Sequence, residues 1–193
     1  MTLAELLVAH GNPISAEERR RFNALYASFS RMVRAMEKTH ETFFATENSD
    51  DLDAYPEFNI WVGKTGLQEI GSGSFRLVLD LGDGRVLKLE QGMGKKESDG
   101  IYSWNGKPSG CSLAEARRWM EATPHQRAKL VPVLGHDPQG RWVVMPKVSG
   151  LPDALRSRIP DSTLRVATQL GLDPYEVCPR NLDATFRLLD YGT

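Results

Sequence analysis

The stretch from residue 69 to residue 90, EIGSGSFRLVLDLGDGRVLKLE, constrains the fold more than any other part of the sequence. Its short apolar runs are separated by a glycine-containing turn and by the tighter turn LGDGR, a pattern that predicts three consecutive strands. In the third strand, VLKLE, Lys88 interrupts an apolar run. Since a charge in such a place costs free energy unless it is paired, we expect Lys88 to have a partner.

Gly71, Gly73 and Val78 in this stretch fit the pattern G-x-G-x-x-G-x-V, with Arg76 in place of the third glycine. In that pattern small residues let the backbone amides of a hairpin approach nucleotide phosphates, while the valine covers the base. Glycines between two strands are more commonly only a turn. A simple turn and a phosphate-binding loop therefore both stay open at this point, and the elements that follow favour the loop.

The residues before position 50 predict a helix. Ser15 and Glu18 form a capping box, and apolar residues then recur at steps of three, four and seven residues, which indicates one amphipathic helix over residues 16–46. Its apolar stripe fits either packing within the molecule or a partner surface. We expect residues 1–60 to form a helical extension and linker, and residues 61–193 to form the main domain.

Downstream residues complete the predicted sheet. Ser112 opens the helix SLAEARRWMEA, in which Glu115 fits a second capping box. The segment 131–146 predicts two antiparallel strands that meet at a turn. Together with the strands of residues 67–90, they predict one five-stranded antiparallel sheet, covered by the helix from Ser112.

Two further segments are assigned from their composition. Residues 58–62, FNIWV, predict a strand because they form a short apolar run. Residues 91–111 carry five glycines among polar residues, which predicts a loop and no regular element.

The charge balance argues against nucleic acid as a partner. The chain of 193 residues has 24 basic and 25 acidic side chains, a formal net charge of −1, so it lacks the basic excess that binding along DNA or RNA requires. No apolar stretch approaches the roughly 20 residues of a membrane span, and the N-terminal residues lack the pattern of a signal peptide. Cys111 and Cys178 are isolated, which argues against disulfides and zinc sites. We expect a cytoplasmic protein without a membrane partner.

The sheet, its helix and the last part of the chain together resemble the protein kinases and the related small-molecule kinases. The stretch DPYEVCPRNLDATFRLLDYGT is similar to the kinase catalytic loop D-x-x-x-x-N followed by a hairpin and D-F-G, with Asn181 and Asp190 at the corresponding positions. The resemblance covers most of residues 67–193. It implies an α+β fold with a kinase-like small lobe, which is a five-stranded antiparallel sheet plus one helix, a minimal large-lobe remnant and an N-terminal helical extension.

The resemblance also implies ATP with magnesium as the cofactor and a role for individual residues. Lys88 would bind the α and β phosphates and Glu115 would pair with Lys88, although capping alone is the other interpretation of Glu115. Asn181 and Asp190 would hold magnesium. Glu176 stands where the catalytic aspartate belongs; its longer side chain would displace the carboxylate by about an ångström, which costs on the order of 100-fold in rate where geometry is tight.

Three functional hypotheses follow. The first is a degenerate, pseudokinase-like protein that binds Mg-ATP and acts through protein–protein interaction, with the N-terminal helix docked where a missing large lobe would leave apolar surface. The second is a compact ATP-dependent phosphotransferase that acts on a hydroxyl substrate with Glu176 as base. The third is a virus-encoded structural or host-interaction protein in the host cytoplasm. The first hypothesis is favoured by the departures Arg76 and Pro174 from the kinase pattern. It is also favoured because Thr193 follows D-Y-G directly, with no activation segment.

Overall fold

The computed structural model describes residues 14–39, 52, 55–72, 76–91, 93–95, 102–104, 107–173 and 177–192. These residues form a mixed α+β fold built on a five-stranded antiparallel sheet. The described strands are Gln68–Ser72 (β1), Arg76–Asp80 (β2), Arg85–Glu90 (β3), Met93–Lys95 (β4), Tyr102–Trp104 (β5), Gly135–His136 (β6) and Trp142–Pro146 (β7).

The sheet has the strand order β1-β2-β3-β7-β6, and each neighbouring pair is antiparallel. The predicted five-stranded antiparallel sheet is therefore confirmed. The edge strand β6 is shorter than the sequence pattern of residues 131–146 suggests. The reason is that Val131 donates its N–H to the carbonyl oxygen of Leu188, over 2.9 Å, and so pairs outside the sheet.

Strands β4 and β5 form a separate two-stranded ribbon within residues 91–111. Met93 pairs with Trp104, and Lys95 pairs with Tyr102. The prediction of a loop without regular elements was wrong for these residues. Tyr102 and Trp104 are residues that favour strands, and the glycine content of the surrounding segment hid this signal.

The described helices are α1 (Ala16–Thr39), α2 (Pro56–Thr65), α3 (Cys111–Glu121), α4 (Pro124–Arg127) and α5 (Asp161–Gln169), with 3-10 turns at Asp153–Arg158 and Pro179–Asn181. The predicted capping box is present at the start of α1, where the N–H of Ser15 donates to Glu18 over 2.8 Å and the N–H of Glu18 donates to Ser15 over 3.1 Å. Residues 40–46 of the predicted helix lie outside the described residues. None of the described helices combines the length and the apolar content needed to cross a membrane.

Residues 58–62, predicted as a strand, belong instead to α2. Pro56 occupies the first turn of this helix, where its missing N–H costs nothing, and Gly66 ends it in the left-handed conformation with a φ of 67°. The ring of Trp61 lies 5.1 Å from that of Phe29 on α1. A short apolar run does not distinguish helix from strand, and the flanking proline and glycine held the information that does.

The alternation of side chains along β2 and β3 gives the sheet two apolar faces. The leucines of both strands lie in one core with Phe29 and Met36 of α1. Val86 of β3 lies in a second core, on the opposite face, with Ala116 of α3 and Tyr191. Helix α1 covers the face of the sheet that is turned away from α3, so its stripe packs within the molecule. The expected docking of α1 against the surface left by a missing large lobe stays a prediction.

Between Asn181 and Asp190 the chain forms a hairpin, as predicted. Asp183 is buried and accepts hydrogen bonds from the N–H and the Nε of Arg187, over 2.9 and 2.7 Å, which closes the turn. The N–H of Leu189 donates to the carbonyl oxygen of Asn181 over 2.9 Å. These bonds hold the two ends of the hairpin next to each other.

Candidate functional site

Lys88, on the central strand β3, forms an ion pair with Glu115 of α3. Its ammonium group lies 3.1 and 3.2 Å from the two carboxylate oxygens, and both side chains are buried. The ammonium also donates a hydrogen bond of 2.7 Å to the carbonyl oxygen of Leu189. The partner that the sequence predicts for Lys88 is therefore present.

Glu115 does not cap helix α3. The helix begins at Cys111 with Gly110 as its N-cap, and the N–H of Ser112 donates to a carboxylate oxygen of Glu90 over 2.6 Å. The predicted second capping box is thus absent, because a carboxylate from β3 satisfies this N-terminal amide. Glu115 lies one turn further along and points to Lys88, so the pairing interpretation is the one that the geometry supports.

Arg76, which replaces a loop glycine, is the central cation of the site. Its guanidinium lies 2.6 Å from a carboxylate oxygen of Glu115 and also pairs with the carboxylate of Asp190. The Arg76 side chain is only 6% exposed. One arginine on β2 therefore connects α3 to the end of the C-terminal hairpin.

The sequence pattern identified Arg76 only as a departure from the glycine motif and not as a site residue. The alternation of side chains along β2 nevertheless indicates its position. Arg76 and Val78 lie on the same face of β2, and the register of β2 with β3 pairs them with Glu90 and Lys88. Because side chains alternate along a strand, the assignment of Lys88 to the site face places Arg76 on that face too. An arginine there needs carboxylate partners.

The charges in this cluster shift the pKa values of its members. Burial, together with the neighbouring guanidinium of Arg76, lowers the pKa of Lys88 to about 8. Burial alone would raise the pKa of Glu115, but the cations of Arg76 and Lys88 outweigh this effect and lower that pKa. With Asp190 ionised, the four side chains carry two positive and two negative charges, so the cluster is neutral.

A cavity of about 300 Å³ opens beside Lys88. Aliphatic side chains from the sheet, from the segment after β7 and from the hairpin form most of its wall, among them Ile70, Val78, Val86, Met145, Val148 and Leu189. Its polar end carries Lys88, Lys147, Arg180, Asn181 and Asp190. Three cations and one carboxylate line this end, and two of the cations, Lys88 and Lys147, are paired with Glu115 and Asp80 outside the lining. Cationic N–H donors at one end suit an anionic ligand, and the aliphatic wall suits a flat ring system.

The predicted glycine loop is described in part. Gly71 lies in β1 where the register with β2 shifts, its backbone is not left-handed, and a Cβ added to it would meet no heavy atom within 4 Å. A glycine at such an irregularity in a strand marks either a β-bulge or a place where a ligand approaches closely, so both interpretations stay open. Val78 lines the cavity, and Gly73 lies outside the described residues.

Asn181 and Asp190, to which the resemblance assigns magnesium, both line the cavity. Magnesium requires several oxygen ligands in near-octahedral geometry. The carboxylate of Asp190 is paired with Arg76 instead, and the part of the chain that the structure describes contains no group of three or more His, Cys, Asp or Glu side chains that could hold a metal ion. In this arrangement these residues do not fit a magnesium site, because a metal ion on Asp190 would repel the adjacent guanidinium.

Glu176 lies outside the described residues, as does Pro174. Its assignment as a catalytic base therefore stays a prediction. The nearby segment from Val177 is described, and it leads through the turn Pro179–Asn181 into the hairpin that carries Asp190.

Two residues next to Asp190 hold it in place. Tyr191 is fully buried, and its hydroxyl donates a hydrogen bond of 2.7 Å to the carbonyl oxygen of Val131. A Cβ added to Gly192 would lie 2.2 Å from the carbonyl oxygen of Cys111, so the close approach of these two segments requires glycine. The position of Asp190 is thus fixed by the core and by α3.

Comparison of the chain with protein-family models, with curated proteins and with solved structures gives no match. The function must therefore be argued from the residues of the cavity and from their geometry.

Proposed function

We propose that the chain is a degenerate kinase-like protein whose cavity beside Lys88 binds a nucleoside triphosphate such as ATP. The observation that carries this proposal is the Lys88–Glu115 ion pair at the polar end of an aliphatic cavity. Glu115 holds the ammonium of Lys88 in a fixed position, where phosphate oxygens can accept hydrogen bonds from it. The aliphatic wall, which includes Val78, would cover the base.

We propose further that the protein acts through protein–protein interaction and not by phosphoryl transfer. Two features support the absence of phosphoryl transfer. Arg76 pairs with Asp190, the carboxylate that a kinase uses for its metal ion, and a glutamate, Glu176, replaces the catalytic aspartate. Both departures affect the transfer step more than the binding of the nucleotide.

Nucleotide binding is tested by thermal unfolding of the intact chain with ATP, GTP, CTP and UTP in turn. We expect at least one of them to raise the melting temperature, and we expect Lys88→Met to weaken its binding by at least about tenfold, because a charge-assisted hydrogen bond is lost. Lys64→Met is the control, since Lys64 is an exposed lysine on α2. If no nucleotide stabilises the wild type, or if Lys88→Met binds as well as the wild type, the proposal is wrong.

The absence of transfer is tested with labelled ATP and three kinds of acceptor: the protein itself, general protein substrates and small hydroxyl compounds. We expect the wild type to show no transfer above background, and Glu176→Gln to change nothing. Transfer that Glu176→Gln reduces by about 100-fold or more would establish the phosphotransferase hypothesis instead, since a positioned base supplies an effect of that size.

A further inference from the structure

We propose that the cavity binds its nucleoside triphosphate without a divalent metal ion, because the guanidinium of Arg76 neutralises the carboxylate of Asp190 in place of a metal ion. This inference rests on the proposed function and concerns the same cavity. The ligand is then a polyphosphate that is not complexed with magnesium. Arg76 is the residue that allows the site to bind this form.

The charges around the polar end support the inference. Without Arg76, the Lys88–Glu115 pair would be neutral and Asp190 would present an uncompensated negative charge to the phosphates. In kinases a metal ion bridges that carboxylate and the phosphates and neutralises both. Here Arg76 pairs with Asp190, so the carboxylate is already neutralised when a ligand enters.

Arg76 compensates the charge of Asp190 without lining the cavity itself. Asp190, Lys88 and Asn181 line the cavity, whereas Arg76 is 6% exposed and is not among the lining residues. Its guanidinium pairs with the carboxylates of both Glu115 and Asp190. Arg76 is therefore a positioning residue that acts on the ligand through Asp190.

A metal ion on Asp190 would compete with Arg76 for the carboxylate. A guanidinium displaced from Asp190 would stay buried beside Glu115, which it shares with Lys88, and within electrostatic reach of Glu90. Breaking a buried ion pair by removing one partner is strongly destabilising, because the remaining charge cannot reach water. A metal ion next to Arg76 and Lys88 would add repulsion to that cost.

The direct test is calorimetric titration of the intact chain with ATP, once with EDTA and once with excess magnesium chloride. We expect ATP to bind in EDTA and to bind at least about tenfold more weakly in excess magnesium, because magnesium complexes nearly all of the nucleotide and the site takes the uncomplexed form. Binding that is equally tight or tighter with magnesium would overturn this inference and leave the proposed function standing. Absence of binding under both conditions would overturn both.

Variants of Arg76 test the cause. We expect Arg76→Gln to weaken binding of ATP in EDTA by at least about tenfold, because Asp190 then repels the phosphates. The double variant Arg76→Gln with Asp190→Asn should regain most of that affinity in EDTA, since it removes the uncompensated carboxylate. A purely structural role of Arg76 predicts no such recovery.

Arg117→Gln is the matched control, because it makes the same change of charge at an exposed position of α3. We expect it to bind ATP as the wild type does. Unchanged binding of Arg76→Gln in EDTA, or no recovery in the double variant, would overturn the inference. If Arg76→Gln fails to fold, as judged by circular dichroism, the comparison of EDTA with magnesium on the wild type decides it alone.

Discussion

Lys88 makes the stability of the chain depend on pH. Its pKa in the folded chain is about 8, below its ordinary value of 10.5. Between these values the unfolded chain binds more protons than the folded chain, so the free energy of unfolding rises with pH in this window, by up to about 1.4 kcal/mol per pH unit. We expect Lys88→Met to lack this rise, as measured by urea unfolding at several pH values.

The comparison of wild type with Lys88→Met isolates this contribution, because the other titrating groups are present in both proteins. The same titration acts on binding in the opposite direction. Protonated Lys88 attracts phosphate, so the affinity of the wild type for ATP should fall as the pH rises through about 8. A difference in unfolding free energy that stays constant from neutral to alkaline pH would contradict the prediction.

Two glycines near the cavity should respond differently to alanine. A Cβ on Gly71 meets open space, so Gly71→Ala should change the free energy of unfolding by less than about 0.5 kcal/mol and should weaken ATP binding. A Cβ on Gly192 would lie 2.2 Å from a backbone oxygen, so Gly192→Ala should cost about 2 kcal/mol or more. Urea unfolding and calorimetric titration measure both effects. Equal stability losses for the two variants would show that Gly71 is also a packing residue.

The role of a single residue can be predicted from the sequence when the residues that determine this role lie close to it in the chain. Lys88 could be singled out because a cation in an apolar strand is anomalous within its own segment. The role of Arg76 could not be reached by comparison with a motif, because the motif has a glycine there and records only a departure. Its partner Asp190 is 114 residues away, and only the tertiary fold brings the two together.

Helix α1 packs against the sheet, and its contribution to the stability of the fold can be tested with a single substitution. Phe29 is fully buried in the core that α1 forms with the leucines of β2 and β3. We expect Phe29→Ala to lower the free energy of unfolding by about 3–5 kcal/mol, as measured by urea unfolding. ATP affinity should stay unchanged in the fraction that is folded, because this core and the cavity lie on opposite faces of the sheet.

Ile60→Ala serves as the control for this prediction. Ile60 lies on α2 with 57% of its surface exposed, and its replacement should cost less than about 0.5 kcal/mol. Similar small effects of both substitutions would mean that α1 contributes little to the stability of the sheet.

The elements predicted well are those with long, repeated signals. A capping box and a stripe over many turns define α1, and three strands with two tight turns define β1 to β3. Helix α2 was mistaken for a strand because a run of five residues with four apolar side chains is too short to show a period. The pair β4 and β5 was missed because each strand is only three residues long. Such short elements take their conformation from a partner, which local patterns do not contain.

In the molecule as a whole, the sheet separates two cores that should respond unequally to a ligand. One core holds α1 and α2; the other holds α3, α5 and the C-terminal hairpin, and it lies next to the cavity. We expect ATP to slow amide hydrogen exchange in β2, β3, α3 and residues 177–192 and to leave α1 unchanged, since binding stabilises the regions that contact the ligand. Mass spectrometry of exchanged peptides measures this. Slower exchange confined to α1 would place the ligand elsewhere.

The long sequence separation within the cavity has a consequence for biosynthesis. Lys88 bonds to Leu189 across 101 residues, and Arg76 reaches Asp190 across 114. During translation both cations leave the ribosome well before these partners exist, and contacts of such separation form late because closing long loops costs entropy. A nascent chain without the hairpin therefore cannot form the cavity. If the cavity binds a nucleotide as proposed, that nucleotide cannot guide the early steps of folding, and it selects only molecules in which the C-terminal hairpin has already docked.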